Sequence, residues 1–189
     1  MNENINYTAI QFGTYTGDDE FYKEVQDINA SLIILVEPNC LCNSYIKEKY
    51  KDIANVSLEN IAIHPDESLR TIQLHRCHCL TSFNLEHILK HKNAYKTPED
   101  IIPFDVPCLS PNRLFAKYKL SLIDLLYVDV EGLDEIVLRS IDYDRYKIKK
   151  IVYEHLHINR NSIKDFLADN GYTNFTIEGY NTVCELEDK

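Results

Sequence analysis

Leu125-Leu126-Tyr127-Val128-Asp129-Val130-Glu131-Gly132 is an apolar stretch that ends in two carboxylates and a glycine. Residues 133–141 then place apolar side chains at helical spacing. This pattern predicts a buried strand followed by a helix, and the carboxyl end of such a strand is where open α/β sheets hold ligand-contacting groups. We therefore expect an enzyme with Asp129 and Glu131 at its site. The alternative is that these acids only cap the next helix.

The composition limits the size of the protein and its partners. The chain has 189 residues, of which 44% are hydrophobic, and this predicts one domain over residues 1–189. The formal net charge of −10 disfavours nucleic acid as a partner. No apolar run approaches the roughly 20 residues of a membrane span, and residues 1–4 lack the features of a secretory signal. We expect a soluble, cytoplasmic protein.

The cysteines predict free thiols. Two pairs, Cys40 with Cys42 and Cys77 with Cys79, are spaced C-x-C, which is too close for an unstrained disulfide. The segment from His75 to Cys79 contains ligand types found in zinc sites, but its spacing is not that of the usual C-x₂₋₄-C pair. We therefore expect no metal there.

Strands and helices alternate along the chain. The uninterrupted apolar run Leu32–Val36 is typical of a central parallel strand that is covered on both faces. Residues 172–177 and 182–186 flank a short turn and predict an antiparallel hairpin. Further strands are expected at 8–12, 56–63 and 150–154, besides the stretch quoted above. The predicted fold class is α/β: a Rossmann-like, doubly wound, seven-stranded and mostly parallel sheet with a C-terminal antiparallel hairpin, as in class I methyltransferases. The segment from about 64 to 120 is irregular and rich in prolines, and we expect it to form a lid or acceptor region.

The turn after the first strand distinguishes between nucleotide cofactors by charge. Gly13 and Gly17 frame this turn, and Asp18-Asp19-Glu20 follows at once. Three carboxylates would repel the pyrophosphate of a dinucleotide, whereas S-adenosyl-L-methionine has no phosphate and carries two cationic groups. An NAD-dependent oxidoreductase of similar fold is therefore the less favoured alternative. Glu37, at the end of the second strand, either accepts hydrogen bonds from the hydroxyls of a ribose or caps the following helix.

Successive blocks of the chain resemble the FkbM-type methyltransferases. The blocks are Ile10 to Gly17, Val36 to Asn39, Asn55 to Ile63, Tyr127 to Gly132, Ile151 to His155 and Asn170 to Tyr172. The resemblance implies an O-methyltransferase that uses S-adenosyl-L-methionine, often on hydroxyls of sugars or polyketides. It predicts as cofactor-binding residues Gly13, Thr14, Gly17, Glu37, Pro38, Asn39, Ala62 and Asp129. Two features depart from the family: Gln11 stands where an acid is common, and the chain begins almost at its first strand. The second departure suggests a domain of a larger glycan-modifying protein.

The remaining predicted site residues concern the reaction and its acceptor. Asp129 is the first choice of base for an acceptor hydroxyl, followed by Glu154 and His155 at the end of the fifth strand. Asp129, Glu131 and Glu154 could equally hold a divalent cation, magnesium or manganese. A sugar or glycan acceptor is expected to contact His75, His78, Thr81, Ser82, Phe83, Asn84 and Glu131. A catalytically silent accessory domain is the non-enzyme alternative.

Overall fold

A computed structural model describes residues 7–77, 80–90, 96–156 and 158–187 and arranges them in two sheets flanked by helices. In chain order the elements are β1 (Thr8–Phe12), α1 (Glu20–Val25), β2 (Leu32–Val36), α2 (Asn43–Lys49), β3 (Val56–Glu59), β4 (Ala62–Ile63), β5 (Thr71–Cys77), β6 (Leu80–Ser82), α3 (Leu85–Lys90), β7 (Ile102–Leu109), α4 (Pro111–Lys117), β8 (Leu122–Val128), α5 (Asp134–Arg139), β9 (Lys147–Glu154), α6 (Arg160–Asp169), β10 (Tyr172–Glu178) and β11 (Asn181–Leu186).

The larger sheet has seven strands in the order β10-β11-β9-β8-β1-β2-β3. Neighbours from β9 to β3 pair in parallel, and β11 runs antiparallel to both β9 and β10. The strand order reverses direction at β1, which has β2 on one side and β8 on the other. The predicted doubly wound α/β sheet with a C-terminal antiparallel hairpin is therefore confirmed.

The register of the central strands brings the predicted site residues to one edge. Phe12 lies opposite both Val36 and Val128, the last residues of the two neighbouring strands. Because these parallel strands end at the same level, Gly13, Glu37 and Asp129 leave the sheet side by side.

The faces of the larger sheet are covered by two apolar layers. In β2, Ile34 and Val36 belong to one layer, whereas Ile33 and Leu35 belong to the other. Each of these side chains is almost completely buried. Full burial of such a side chain contributes about 1.5–3 kcal/mol, which explains why the strand shows no polar alternation.

The segment predicted to be irregular contains three of the four strands of the smaller sheet, β5, β6 and β7, which is a correction. Its order is β4-β7-β5-β6, with β5 antiparallel to β6 and β7. Ile72 and Leu74 of β5 alternate with exposed residues and pack with Val106 of β7 in a separate apolar cluster. The prolines at positions 103 and 107 lie inside β7, so they did not mark a loop. The single strand predicted over 56–63 is also wrong, because the chain passes from β3 in the larger sheet to β4 in the smaller one.

Two further findings concern cysteines and membranes. No disulfide joins the cysteines of the described ranges, which are Cys40, Cys42, Cys77, Cys108 and Cys184. Among the helices in those ranges, none has the length and apolar character needed to cross a bilayer.

Candidate active site

A cavity of about 370 Å³ opens at the carboxyl edge of the larger sheet, between that edge and the smaller sheet. It collects several residues that the sequence predicted, namely Gly13, Glu37, Pro38, Ala62, Ser82, Asp129 and Glu131. Thr81 and Phe83, also expected for the acceptor, line it as well. Its other lining residues were not predicted for the site: Tyr15, Asp18, Asp19, Val36, Ile61, Ile63, Leu74, Leu80, Val130 and Leu133. The cavity volume lies in the range of small-molecule sites.

The Gly13 turn brings the end of β1 against the end of β8. Gly13 has a φ of +82°, and a Cβ atom on it would lie 1.7 Å from the carbonyl oxygen of Asp129. The N–H groups of Gly13 and Thr14 both donate to the carbonyl of Val36, at 3.0 and 3.1 Å. Glycine is therefore required here by backbone conformation and by the close approach of a second strand. Thr14 is completely buried and holds this turn, while Gly17 lies against the ring of Tyr50; neither lines the cavity.

Glu37 is a buried carboxylate that joins two loops. Its oxygens accept hydrogen bonds from the backbone N–H groups of Tyr15, at 2.7 Å, and Asn39, at 2.8 Å. Burial raises the pKa of Glu37 to about 7; the two N–H donors oppose this shift, and the negative charges of Asp129 and Glu131 add to it. The predicted helix-capping role is thus taken by Asn39, whose side chain accepts from the Leu41 N–H at 3.2 Å. Asn39 itself is buried and is not among the cavity residues.

The turn after β8 holds two further carboxylates at the cavity wall. Glu131 adopts a φ of +54°, a conformation that is uncommon for a residue with a side chain. Asp134 fixes this turn by accepting from the N–H groups of Val130, at 2.9 Å, and Gly132, at 3.1 Å. The structural role considered for Asp129 and Glu131 therefore falls to Asp134, and the two predicted acids face the cavity.

Burial and mutual repulsion shift the protonation of these acids. Burial raises the pKa of Asp129 to about 7, with contributions from the charges of Asp134 and Asp19. Burial, followed by the charge of Asp129, also raises the pKa of Glu131 to about 7. Carboxyl groups with such pKa values can accept or release a proton near neutral pH.

Glu154 and His155, predicted as further catalytic residues, are not among the cavity residues. Burial, with repulsion from Asp129 and its neighbours, raises the pKa of Glu154 to about 8. Its Oε2 atom is buried and has no hydrogen-bond partner in the described part of the chain. His155 is 2% exposed and its Nδ1 lies 3.0 Å from the Thr182 hydroxyl of β11. Its ring is thus held in the hairpin, and burial lowers its pKa.

The smaller sheet supplies the wall opposite the acids. Leu74, Leu80 and Phe83 form its apolar part, and the hydroxyl residues Thr81 and Ser82 its polar part. An interaction between the Asn39 amide and the Thr81 hydroxyl, at 3.3 Å, ties this wall to the end of β2.

Two other predicted acceptor residues lie outside the cavity. His75 pairs in register with Ser82, but it does not line the cavity and its Nδ1 is buried without a partner in the described ranges. The Asn84 side chain accepts from the Glu86 N–H at 2.9 Å and so caps α3. His78 lies outside the described residues.

The electrostatic character of the cavity is acidic. Five of the described lining residues are carboxylic acids, and none is lysine, arginine or histidine. Within the described ranges no group of three or more histidine, cysteine, aspartate or glutamate residues is arranged to hold a metal ion. The divalent-cation site predicted for Asp129, Glu131 and Glu154 is therefore not supported by the geometry.

Among the residues that the sequence did not predict for the site, Asp19 could have been found from its charge. The acidic run at 18–20 indicated a cationic ligand, and two members of that run, Asp18 and Asp19, line the cavity. Leu74 and Leu80 of the smaller sheet gave no local signal, because their approach to the larger sheet depends on long-range packing.

The sheet order, the glycine turn after β1 and the acid at the end of β2 define the Rossmann-like fold of class I methyltransferases. Within this class the chain belongs to a particular family, since residues 11–173 match the methyltransferase FkbM domain. No curated protein sequence matches the chain significantly.

Three solved structures with similar folds illustrate the range of this class. Methyltransferase FkbM from Methylobacillus flagellatus is 12% identical, with a TM-score of 0.54 over 95% of this chain and 43% of that one. The precorrin-6y C5,15-methyltransferase of Geobacter metallireducens is 14% identical, with a TM-score of 0.51 over 96% of this chain and 81% of that one. The fibrillarin pre-rRNA processing protein of Methanococcus jannaschii is 10% identical, with a TM-score of 0.51 over 97% and 68%. The chain thus spans 43% of the length of the FkbM structure, and the fold alone does not select an acceptor.

Proposed function

We propose that this chain transfers a methyl group from S-adenosyl-L-methionine to a hydroxyl group of a sugar or glycan. The observation that carries the proposal is the cavity of an FkbM-family chain in which Glu37 and Asp129 lie on either side of the Gly13 turn. A carboxylate at each side of the turn suits a ligand that has hydroxyl groups at one point and positive charge at another.

The residues of the cavity fit the parts of this donor. Glu37 can accept from ribose hydroxyls in addition to its two backbone donors, because each carboxylate oxygen has two lone pairs. The neighbouring Pro38, Ile61 and Ala62 offer an apolar surface for an adenine ring. The acidic lining favours a cationic ligand and disfavours the pyrophosphate of NAD, which supports a methyl donor over a dinucleotide.

When bound, S-adenosyl-L-methionine supplies an electrophilic methyl group attached to a sulfonium. The protein has to place an acceptor oxygen beside that group, keep water away and receive a proton. Asp129 is the proposed proton acceptor, because it lines the cavity and its pKa of about 7 leaves a substantial fraction ionised at neutral pH. Glu131, on the same turn, can accept a hydrogen bond from the acceptor and keep its hydroxyl oriented.

The wall formed by the smaller sheet suits a sugar. A sugar ring has an apolar face, which can pack on Phe83 and Leu80, and polar edges, which can bond to the hydroxyls of Thr81 and Ser82. These contacts support a hydroxyl acceptor and therefore O-methylation.

Two measurements test the proposal. Titration calorimetry with S-adenosylhomocysteine, with NAD as the comparison ligand, should detect binding of the former alone. Incubation with isotopically labelled S-adenosyl-L-methionine and a panel of sugars and glycans, read by mass spectrometry, should then show a product heavier by one CH₂ unit. Absence of S-adenosylhomocysteine binding would refute the cofactor assignment, and labelling of a nitrogen or carbon atom would refute O-methylation.

A further inference from the structure

Asp19 is a cavity residue whose carboxylate accepts hydrogen bonds from the first turn of α1 and from Gln11. As the N-cap of α1 it accepts from the Tyr22 N–H at 3.0 Å through one oxygen. Through the other it accepts from the side-chain amide of Gln11 at 2.5 Å. Burial raises the pKa of Asp19, and the charge of Glu20 adds to this shift; the hydrogen bonds from Tyr22, Gln11 and the Phe21 N–H oppose it. The carboxylate is thus held at the cavity wall in one orientation.

Gln11 is the buried side chain that donates to Asp19. Gln11 lies in β1 and is 1% exposed, and its Oε1 atom has no hydrogen-bond partner in the described part of the chain. The Asp19 carboxylate thus has the backbone N–H donors of α1 and one amide donor from Gln11, whereas the Gln11 amide oxygen has no donor within the described ranges. A buried group of this kind is stabilised by a ligand that donates hydrogen bonds and carries positive charge.

The helix packing shows on which side of the Gly13 turn Asp19 lies. Phe21 of α1 packs edge-on against Tyr127 of β8, with 6.2 Å between ring centroids. Glu24 of α1 pairs with Lys150 of β9 at 2.9 Å. Because β8 and β9 lie on the opposite side of β1 from β2, these contacts bring α1 towards the Asp129 side of the turn, while Tyr22 of the same helix packs against Tyr50 at 5.1 Å between ring centroids. The charge of Asp19 also raises the pKa of Asp129, which agrees with this placement.

We propose that Asp19 binds the ammonium group of the methionine portion of the donor and that Gln11 positions Asp19 for this contact. The inference rests on the proposed function, since it takes the ribose to be at Glu37. With the ribose there and the adenine on the apolar side of β2, the amino-acid portion extends towards Asp19. Lys49 pairs directly with Asp18 at 2.6 Å, and the charge of Asp19 makes the smallest of the contributions that shift the pKa of Lys49.

The experiment compares two adenosine ligands by titration calorimetry. S-adenosylhomocysteine carries the ammonium group, whereas 5′-methylthioadenosine lacks the whole amino-acid portion. Asp19→Asn should weaken binding of S-adenosylhomocysteine about tenfold or more and change the affinity for 5′-methylthioadenosine by less than about twofold. Asparagine caps helices as well as aspartate does, so α1 should persist in this variant.

A control and a rescue variant separate charge from structure. Glu20→Gln removes a carboxylate from the same helical turn, but Glu20 does not line the cavity, so the affinity for both ligands should be unchanged. The double variant Asp19→Asn, Gln11→Glu returns the carboxylate to the same pair of side chains and should restore most of the lost affinity. Thermal unfolding of each variant verifies that it is folded.

The outcomes distinguish this inference from the proposed function. If the unaltered protein binds neither ligand, the proposed function fails. If it binds S-adenosylhomocysteine and Asp19→Asn leaves that affinity unchanged, or weakens both ligands equally, Asp19 is only a helix cap and the inference is overturned. Failure of the rescue variant to recover affinity while remaining folded would overturn the role of the charge.

Discussion

Replacement of Glu37 by glutamine separates the structural role of this residue from its role in binding. The carboxylate accepts one backbone N–H at each oxygen, from Tyr15 and from Asn39. In Glu37→Gln the amide oxygen can accept a hydrogen bond from one of these N–H groups, while the amide NH₂ group cannot accept a hydrogen bond from the other. A buried N–H left unpaired costs about 1–3 kcal/mol, and the loss of a desolvated carboxyl group offsets part of that cost.

The effect of Glu37→Gln on binding should be larger than its effect on folding. A hydrogen bond to a charged group contributes about 1.5–3 kcal/mol, and loss of one such bond to a ribose hydroxyl weakens binding about 10- to 150-fold. Since Glu37 is 4% exposed, solvent screening does not reduce this figure much. The free energy of unfolding should fall by about 2 kcal/mol or less.

The assay is titration calorimetry with S-adenosylhomocysteine, combined with denaturant unfolding of the same variants. Glu59→Gln is the matched control, because Glu59 ends the neighbouring strand and pairs with Lys117 at 2.5 Å but does not line the cavity. This control should lose some stability and keep its affinity. The reasoning is refuted if both variants bind within about twofold of the unaltered protein, or if affinity falls only in proportion to the unfolded fraction.

The remaining predictions concern a glycine, a base and pH. Gly13→Ala should abolish S-adenosylhomocysteine binding and lower the thermal midpoint by several degrees, because the new Cβ would lie 1.7 Å from a backbone oxygen. The control is Gly179→Ala, which is also at positive φ but has no atom within 4 Å of the new Cβ, and it should lower the thermal midpoint much less. Asp129→Asn should lower the methyl-transfer rate about 100-fold or more on the acceptor found by mass spectrometry, and a rate within a few-fold of normal would exclude this residue as the base. The free protein should lose stability as the pH rises from about 4.5 to about 8. In the folded state Asp129 and Glu131 have pKa values of about 7, and Glu154 has a pKa of about 8. The folded protein therefore binds more protons than the unfolded chain in this pH window, and deprotonation favours unfolding. Denaturant midpoints measured across this range should decline, with a shallower decline in Asp129→Asn, and a midpoint that rises would contradict the assigned pKa directions.

Local pattern predicted the main sheet because its central strands are covered on both faces. The apolar run Leu32–Val36 indicated a central strand before any partner was known, and its end fixed the position of Glu37. The same reasoning located Asp129, since residues that directly follow parallel strands emerge at one edge.

Sequence reasoning failed where the position of a residue depends on distant partners. The prolines of β7 indicated a loop, yet the apolar alternation in β5 and β7 is buried in a second sheet. His155 follows directly after a strand that ends at the site, but the antiparallel hairpin encloses its ring beside Thr182. In both cases tertiary burial outweighed the local signal.

The sequence by itself determined the alternation of strands and helices, the glycine turn and the acids that close β2 and β8, because these features depend on periodicity and backbone conformation within a few residues. Only the tertiary structure decided which of those acids share a cavity, that Gln11 holds Asp19 at its wall, and that the smaller sheet closes it. The physical reason is that strand register and the packing of one sheet against another are set by contacts between residues far apart in the chain.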